Sequence, residues 1–224
     1  MGAAVTKYRV PVGGLCTDLP SEHSLKSALS ALQRGPIRFM RDHVIACEGE
    51  SADYVFLVMS GVVRSCKTFQ NGERAVVAFY LPGDMFGWGD EIRPLSIEAA
   101  SDAVVMLIKR KGLATLAETN TQLATFLRTV VTRELERARV HAASINISAK
   151  DRFLTFLKDW SKRSGASSTV YLSIGYQDIA DYLGFNIETL SRVITRLQKS
   201  GVLSRTGSRR TLRLGDFMAV RSRN

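Results

Sequence analysis

The chain has 224 residues, of which 45% are hydrophobic, enough for one large or two modest packed domains and too many for a disordered chain. Lys and Arg number 31 against 21 Asp and Glu, so the net charge is +10 and an anionic partner has to be considered. No run approaches the roughly 18 to 20 apolar residues of a membrane span, residues 1–12 lack the apolar core of a signal peptide, and Cys16, Cys47 and Cys66 are odd in number with no C-x-x-C. A cytoplasmic protein with free thiols, without a disulfide framework or a zinc site, is expected.

Residues 1–24 carry no assignable role. From residue 25 to 112 the pattern is that of a β-roll. Tyr54, Val55, Phe56, Leu57, Val58 and Met59, then Val62 and Val63, then residues 75–80 form apolar or alternating runs of strand length. Gly49, Gly61, Gly72 and Gly83 punctuate them at intervals of 12, 11 and 11, and Asn71-Gly72 offers the positive backbone angles of a tight hairpin turn. Regular turns at this interval predict an antiparallel roll or barrel.

Residues 113–143 contain no Gly or Pro, and Leu123, Leu127, Val130, Val131, Leu135 and Ala138 recur at threes and fours, which predicts one long helix. Its opposite face carries Arg128, Arg133, Glu134, Glu136, Arg137 and Arg139. A single apolar seam, placed between a β module and a basic module, suits pairing with a second copy. The region 113–144 is therefore read as a dimerisation helix built on those six apolar residues.

Residues 145–224 hold most of the charge: 14 basic against 6 acidic side chains, with 9 against 2 from residue 188 onward. Residues 151–160 read as an amphipathic helix, Val170, Tyr171 and Leu172 as a short strand, and two helical segments follow around Gly184. Ile179, Ala180 and Leu183 give the first an apolar face. Gly184 stops it where positive φ is wanted, and Asn186 can cap the second by accepting from the amide of residue 188 or 189. Leu190, Val193, Ile194 and Leu197 then hold the second helix inward, leaving Glu188, Ser191, Arg192, Thr195 and Arg196 on or near its outer side. Arg donates in pairs to guanine O6 and N7, Glu accepts from a cytosine amino group, and Ser reaches either a base edge or a thymine methyl. Residues 201–214 read as a two-stranded wing around Gly207 with Arg205, Arg209, Arg210 and Arg213. Arginines there, with Gln177, Thr195 and Arg196, suit phosphate contacts that add affinity and salt dependence but little sequence information.

These segments resemble the CRP/FNR transcription regulators. Gln177-Asp178-Ile179-Ala180-Asp181-Tyr182-Leu183-Gly184, then Ile187-Glu188-Thr189-Leu190-Ser191-Arg192 and Gln198-Lys199-Ser200-Gly201, look like the family's winged helix-turn-helix, nearest its FNR and FixK branches. Leu81-Pro82-Gly83-Asp84-Met85-Phe86-Gly87 is similar to the centre of the cyclic-nucleotide-binding fold. The resemblance implies an α+β chain with an N-terminal cyclic-nucleotide-binding-like roll, a dimerisation helix and a C-terminal winged helix-turn-helix. It also implies a homodimer on palindromic promoter DNA, contact with RNA polymerase, and probe helices about one duplex turn apart. The branch's E-x-x-S-R core falls on Glu188, Ser191 and Arg192. By similarity, half-sites of the TTGAT type are expected, with Arg192 on the guanine, Glu188 on a cytosine and Ser191 on an outer base pair. Ile187 stands where cyclic-AMP-responsive members often place another arginine.

Departures from the family narrow the sensory half. Cys16, Cys47 and Cys66 do not form the cysteine group that an FNR iron–sulfur cluster needs. Cyclic-nucleotide binders carry Gly-Glu and then Arg-Ser in their phosphate motif, whereas here Gly87 precedes Trp88 and Arg93 precedes Pro94, so Arg93 is expected on the surface. His23, His43 and His141 are scattered, without the spacing of haem ligands. No cofactor and no metal are expected, and no cluster of His and carboxylates in the strands supports an enzyme. The reading is a sequence-specific DNA-binding activator. Its rival is a sensor of the same fold, gated by an unidentified small ligand or by oxidation of Cys47 and Cys66.

Overall fold

The structure is a computed structural model and describes residues 29–88, 91–166, 169–205 and 211–214. Eight strands build the N-terminal half: β1 (Gln33–Phe39), β2 (Val44–Ala46), β3 (Tyr54–Ser60), β4 (Val63–Thr68), β5 (Arg74–Tyr80), β6 (Met85–Phe86), β7 (Ser96–Ala99) and β8 (Ala103–Lys109). They form two four-stranded antiparallel sheets, ordered β1-β8-β3-β6 and β2-β7-β4-β5. Side chains alternate between the faces of a strand, so Phe56, Val58, Val63, Tyr80, Phe86, Ile97, Ala99 and Val105 meet between the sheets as one core. The rings of Tyr80 and Phe86 stack at 3.7 Å between centroids, and Phe86 continues to Phe56 at 5.3 Å.

The glycine punctuation has a backbone cause. Gly49, Gly61, Gly72 and Gly83 all have φ between 76° and 93°, a region costly for side chains. At Gly61 space forbids a side chain as well: a Cβ there would lie 2.1 Å from the carbonyl oxygen of Asp102. The β4–β5 hairpin differs in detail from the expectation. Only Gly72 of the Asn71-Gly72 pair has positive φ, and the turn closes by Gly72 N donating to Phe69 O and Phe69 N donating to Glu73 O, both at 2.9 Å. Asn71 instead uses its side chain, accepting from Glu73 N at 3.0 Å.

Beyond the roll the single predicted helix is two: α1 (Arg110–Thr119) and α2 (Thr121–Ser144). Asn120 sits between them in an extended conformation (φ −128°, ψ 101°), and its side chain accepts from Leu123 N at 2.8 Å. Asn competes with helical hydrogen bonding and favours such caps, a signal that the absence of Gly and Pro concealed. Leu123, Phe126, Leu127 and Val130 of α2 are buried against Leu113, Val55, Leu57 and Ile108 of the protomer's own roll and α1.

The C-terminal half consists of α3 (Ala149–Arg163), β9 (Thr169–Tyr171), α4 (Tyr176–Leu183), α5 (Ile187–Lys199), β10 (Leu203–Arg205) and β11 (Thr211–Leu214). The strands form a small antiparallel sheet in the order β10-β11-β9. Phe153, Leu157, Trp160, Leu172, Ile179, Leu190, Ile194 and Leu197 fill its core, each burying an apolar side chain worth roughly 1.5 to 3 kcal/mol. That core is continuous with one surface of the roll. Phe79 of β5 lies 5.7 Å from Trp160 and 5.3 Å from Tyr182, ring to ring. Among the described residues no helix is long and apolar enough to cross a membrane.

Candidate nucleic-acid interface

α4 and α5 form a helix-turn-helix whose geometry follows from local sequence. α4 ends at Gly184, which is left-handed (φ 68°, ψ 38°). Two residues on, Asn186 is extended and its side-chain oxygen accepts from Thr189 N at 2.8 Å, starting α5. This is the cap expected from the sequence. Its removal in Asn186→Ala is expected to cost about 1 kcal/mol, read as a lower thermal midpoint of the full chain with the helix content of the remainder unchanged.

The apolar period of α5 buries Leu190, Val193, Ile194 and Leu197 and turns Glu188, Ser191, Arg192, Thr195 and Arg196 to solvent. Positions 188, 191, 192, 195 and 196 are neighbours on a helix surface by their spacings of three and four, so the five share one side. Thr195 Oγ1 donates to Ser191 O at 2.9 Å, so its proton is held by its own helix. Gln177, in the first turn of α4, is exposed and donates to Asp181 Oδ1 at 2.6 Å. Arg205 is the last residue of β10 and pairs in register with Leu212 of β11, so a two-stranded wing follows α5. Arg209 and Arg210 lie outside the described residues.

α2 divides the six residues predicted for pairing. Leu123, Leu127 and Val130 are inside the protomer's own core, whereas Val131 (44% exposed), Leu135 (48%) and Ala138 face solvent. The exposed stripe continues to Ala142 and to Ile145, which is 59% exposed just past the helix. Residues 131, 135, 138, 142 and 145 step by four and three, the heptad rhythm of a helix seam. A polar flank beside the stripe ties the same half of α2 to the roll. Tyr80 donates to Glu134 at 3.0 Å, and Arg137 donates to Asp84 at 3.0 Å.

Asp84 also receives Arg163 of α3 at 2.6 Å. Burial pushes its carboxyl pKa up, but the Arg163 and Arg137 guanidiniums and the amide of Leu81 outweigh that and hold it below the ordinary carboxylate value. Arg152 closes the joint between α2 and α3. It donates to the carbonyls of Ser144, Ile145 and Leu183, the last at 2.6 Å, and lies 4.9 Å from the Phe185 ring. These free carbonyls belong to helix ends, which need such donors. Sequence reasoning passed over Arg152, Arg137 and Arg163 because their partners are backbone oxygens or lie far along the chain.

In the roll, Arg93 departs from expectation. It is 5% exposed, with its guanidinium 4.9 Å over the Phe56 ring, and burial lowers its pKa from the usual arginine value. Its Nε and the Trp88 Nε1 are buried without a hydrogen-bond partner among the described residues. The residues depart from the cyclic-nucleotide motif: Trp88 follows Gly87 where that motif carries Glu, and Pro94 follows Arg93 where it carries Ser. Cys66 is buried and its thiol is pushed up to about 11 by burial and by Glu98; exposed Cys47 is raised by Glu50. Neither is the low-pKa thiolate of a reactive cysteine. Cys16 lies outside the described residues.

Two protein families match successive parts of the chain. Residues 36–120 match the cyclic nucleotide-binding domain family, and residues 151–223 match the Crp-like helix-turn-helix domain. The nitrogen fixation regulation protein FixK of Azorhizobium caulinodans is 40% identical over 83% of this chain and 77% of its own length. The transcriptional activatory protein AadR of Rhodopseudomonas palustris is 30% identical over 84% and 80%. The solved structure of FixK2 from Bradyrhizobium japonicum superposes with a TM-score of 0.77 at 34% identity, covering 83% of this chain and 94% of that one. With its roll, its helix-turn-helix and these relatives, the chain belongs to the CRP/FNR family of transcription regulators and is FixK-like.

Proposed function

We propose that the protein acts in the cytoplasm as a homodimeric activator that binds a palindromic, TTGAT-type promoter site and contacts RNA polymerase. The observation that carries this reading is α5: one side is locked into the core and the other presents Glu188, Ser191 and Arg192 beside a basic wing. Glu188, Ser191 and Arg192 read bases, while Gln177, Arg196, Arg205, Arg209 and Arg210 contact phosphates, joined by Thr195 once its hydroxyl turns away from Ser191 O. The exposed apolar stripe of α2 supports pairing of two copies. Activation is supported by relatives, AadR among them, that are named as activators. The protein works by binding, not by catalysis.

Selection of bound duplexes from random DNA at two salt concentrations tests this. The expected result is a palindrome with TTGAT-like arms whose enrichment persists as salt rises. Binding without preference, lost steeply with salt, would reduce the interaction to phosphate attraction alone. A second reading, in which a small ligand gates the same DNA binding, is favoured by one observation: the unpaired buried donors of Arg93 and Trp88. Its prediction is that a small anion added to the selection changes the yield of bound duplex without changing the selected sequence.

A further inference from the structure

The roll and the DNA-reading module are joined by a buried ionic contact. Arg64 of β4 is 3% exposed, and its Nη1 donates to both carboxylate oxygens of Asp178, at 2.8 and 2.9 Å. Asp178, in the first turn of α4, is also 3% exposed. Arg74 of β5 donates to Asp178 at 2.7 Å and to Asp181, one residue-turn further along α4, at 2.8 Å. The arginines are themselves held within the roll's sheet. Arg64 donates to Glu98, its cross-strand partner on β7, at 2.7 Å, and to Asp42 at 2.9 Å. Arg41 completes the group: its guanidinium is 4.0 Å from Asp178 and lies where a Cβ on Gly175, the residue that starts α4, would stand.

Buried groups of this kind are poor sources of stability compared with apolar packing, and their best-attested use is to fix register. Two guanidiniums from neighbouring strands, Arg64 through Nη1 and Arg74 through Nη2, hold the one Asp178 carboxylate and so fix its direction, which a hydrophobic contact does not. The ring contact of Phe79 with Tyr182 of α4 is apolar and carries little directional preference, whereas the bonds of Arg64 and Arg74 to Asp178 tie the start of α4 to two strands of the roll. Because α2 of the same protomer is anchored to the same roll, a fixed α4 means a fixed angle between the pairing helix and the recognition helix.

We infer that Arg64 and Arg74 are positioning residues for DNA recognition: through Asp178 and Asp181 they set where α5 stands relative to the α2 pairing stripe, and so which separation of two half-sites the dimer accepts. They touch no base and no phosphate. Their contribution is to the selectivity for half-site spacing, whereas the base readers on α5 set the sequence of each arm. This rests on the proposed homodimer and palindrome.

The test uses the full-length dimer and a panel of duplexes carrying the selected arms with the central gap kept, lengthened or shortened by one or two base pairs, plus a duplex with one arm. Asp178→Asn removes the carboxylate and keeps its shape; Arg74→Gln attacks the less buried arm of the same contact and serves if the first variant fails to fold, as judged by its thermal midpoint. In the wild type the preferred gap is expected to win by on the order of tenfold or more, and in either variant the preference is expected to fall to about threefold or less, a loss in the range of measured inter-site couplings. Affinity for the single-arm duplex stays within about twofold, and Asp178→Glu restores part of the preference. A folded variant that keeps the wild-type gap profile overturns the inference, as does one that loses single-arm and palindrome binding in equal measure. If the wild type itself shows no preference for any palindrome over one arm, the proposed homodimeric function fails, and that outcome is separate from the other two.

Discussion

Leu135→Arg is expected to convert the protein to a monomer and to weaken binding of a palindromic duplex by at least about a hundredfold, because linking two readers multiplies affinity by roughly 10² to 10⁴ and the variant forfeits that link. Leu135 occupies the middle of the exposed stripe formed by Val131, Ala138 and Ala142, and makes no part of the protomer's core. A guanidinium there is solvated in the monomer, whereas in a dimer two of them meet at a desolvated seam. Mass by sedimentation and affinity by fluorescence anisotropy check the two halves of the expectation. Leu127→Arg is the contrasting variant. Leu127 is 8% exposed and packs on the roll, so a charge at that position is expected to unfold the N-terminal half rather than separate intact protomers. A Leu135→Arg protein that stays dimeric and binds the palindrome at wild-type affinity would show that the stripe is not the pairing surface.

α2 also shows where sequence reasoning reaches its limit. Apolar residues at threes and fours reveal a helix with an inner face, but the period does not say what lies against that face. Leu123, Leu127 and Val130 meet the roll while Val131 and Leu135, one residue-step around the helix, are left to solvent. Two adjacent seams with different partners look like one broad seam in the sequence. The helix-turn-helix was legible for the opposite reason: its glycine stop, asparagine cap and apolar spacing act within a few residues of one another, and each local choice favours the same geometry. Contacts that join distant segments left no such trace. Arg64 and Asp178 are 114 residues apart, and nothing near either predicts the pair. Arg93 is buried against the ring of Phe56 on β3, far back along the chain, so its neighbours Ile92 and Pro94 gave no sign of it.

Arg192→Ala is expected to lower affinity for the selected palindrome by about 1 to 3 kcal/mol for each reading arm and to relax one base position per arm, the size of a bidentate contact to guanine. Arg192 is exposed on α5, one residue from Ser191 and four from Glu188, while Leu190 and Val193 on either side of it are anchored in the core. The helix axis is thereby fixed and only the side chain's tip is free, so truncation removes a contact without moving the helix. The same substitution at Arg209, proposed as a phosphate contact, is expected to weaken cognate and random duplexes alike and to reduce the slope of log affinity against log salt by about one. The two variants each remove one positive charge, so net charge is matched and only position differs. Anisotropy titrations with cognate and random duplexes at two salt concentrations measure both. A base reader loses discrimination and keeps most of its nonspecific affinity; a phosphate contact does the reverse. Equal losses on both duplexes for Arg192→Ala would remove it from the base-reading set and leave specificity to Glu188 and Ser191, neither of which can donate in pairs to guanine O6 and N7 as an arginine does.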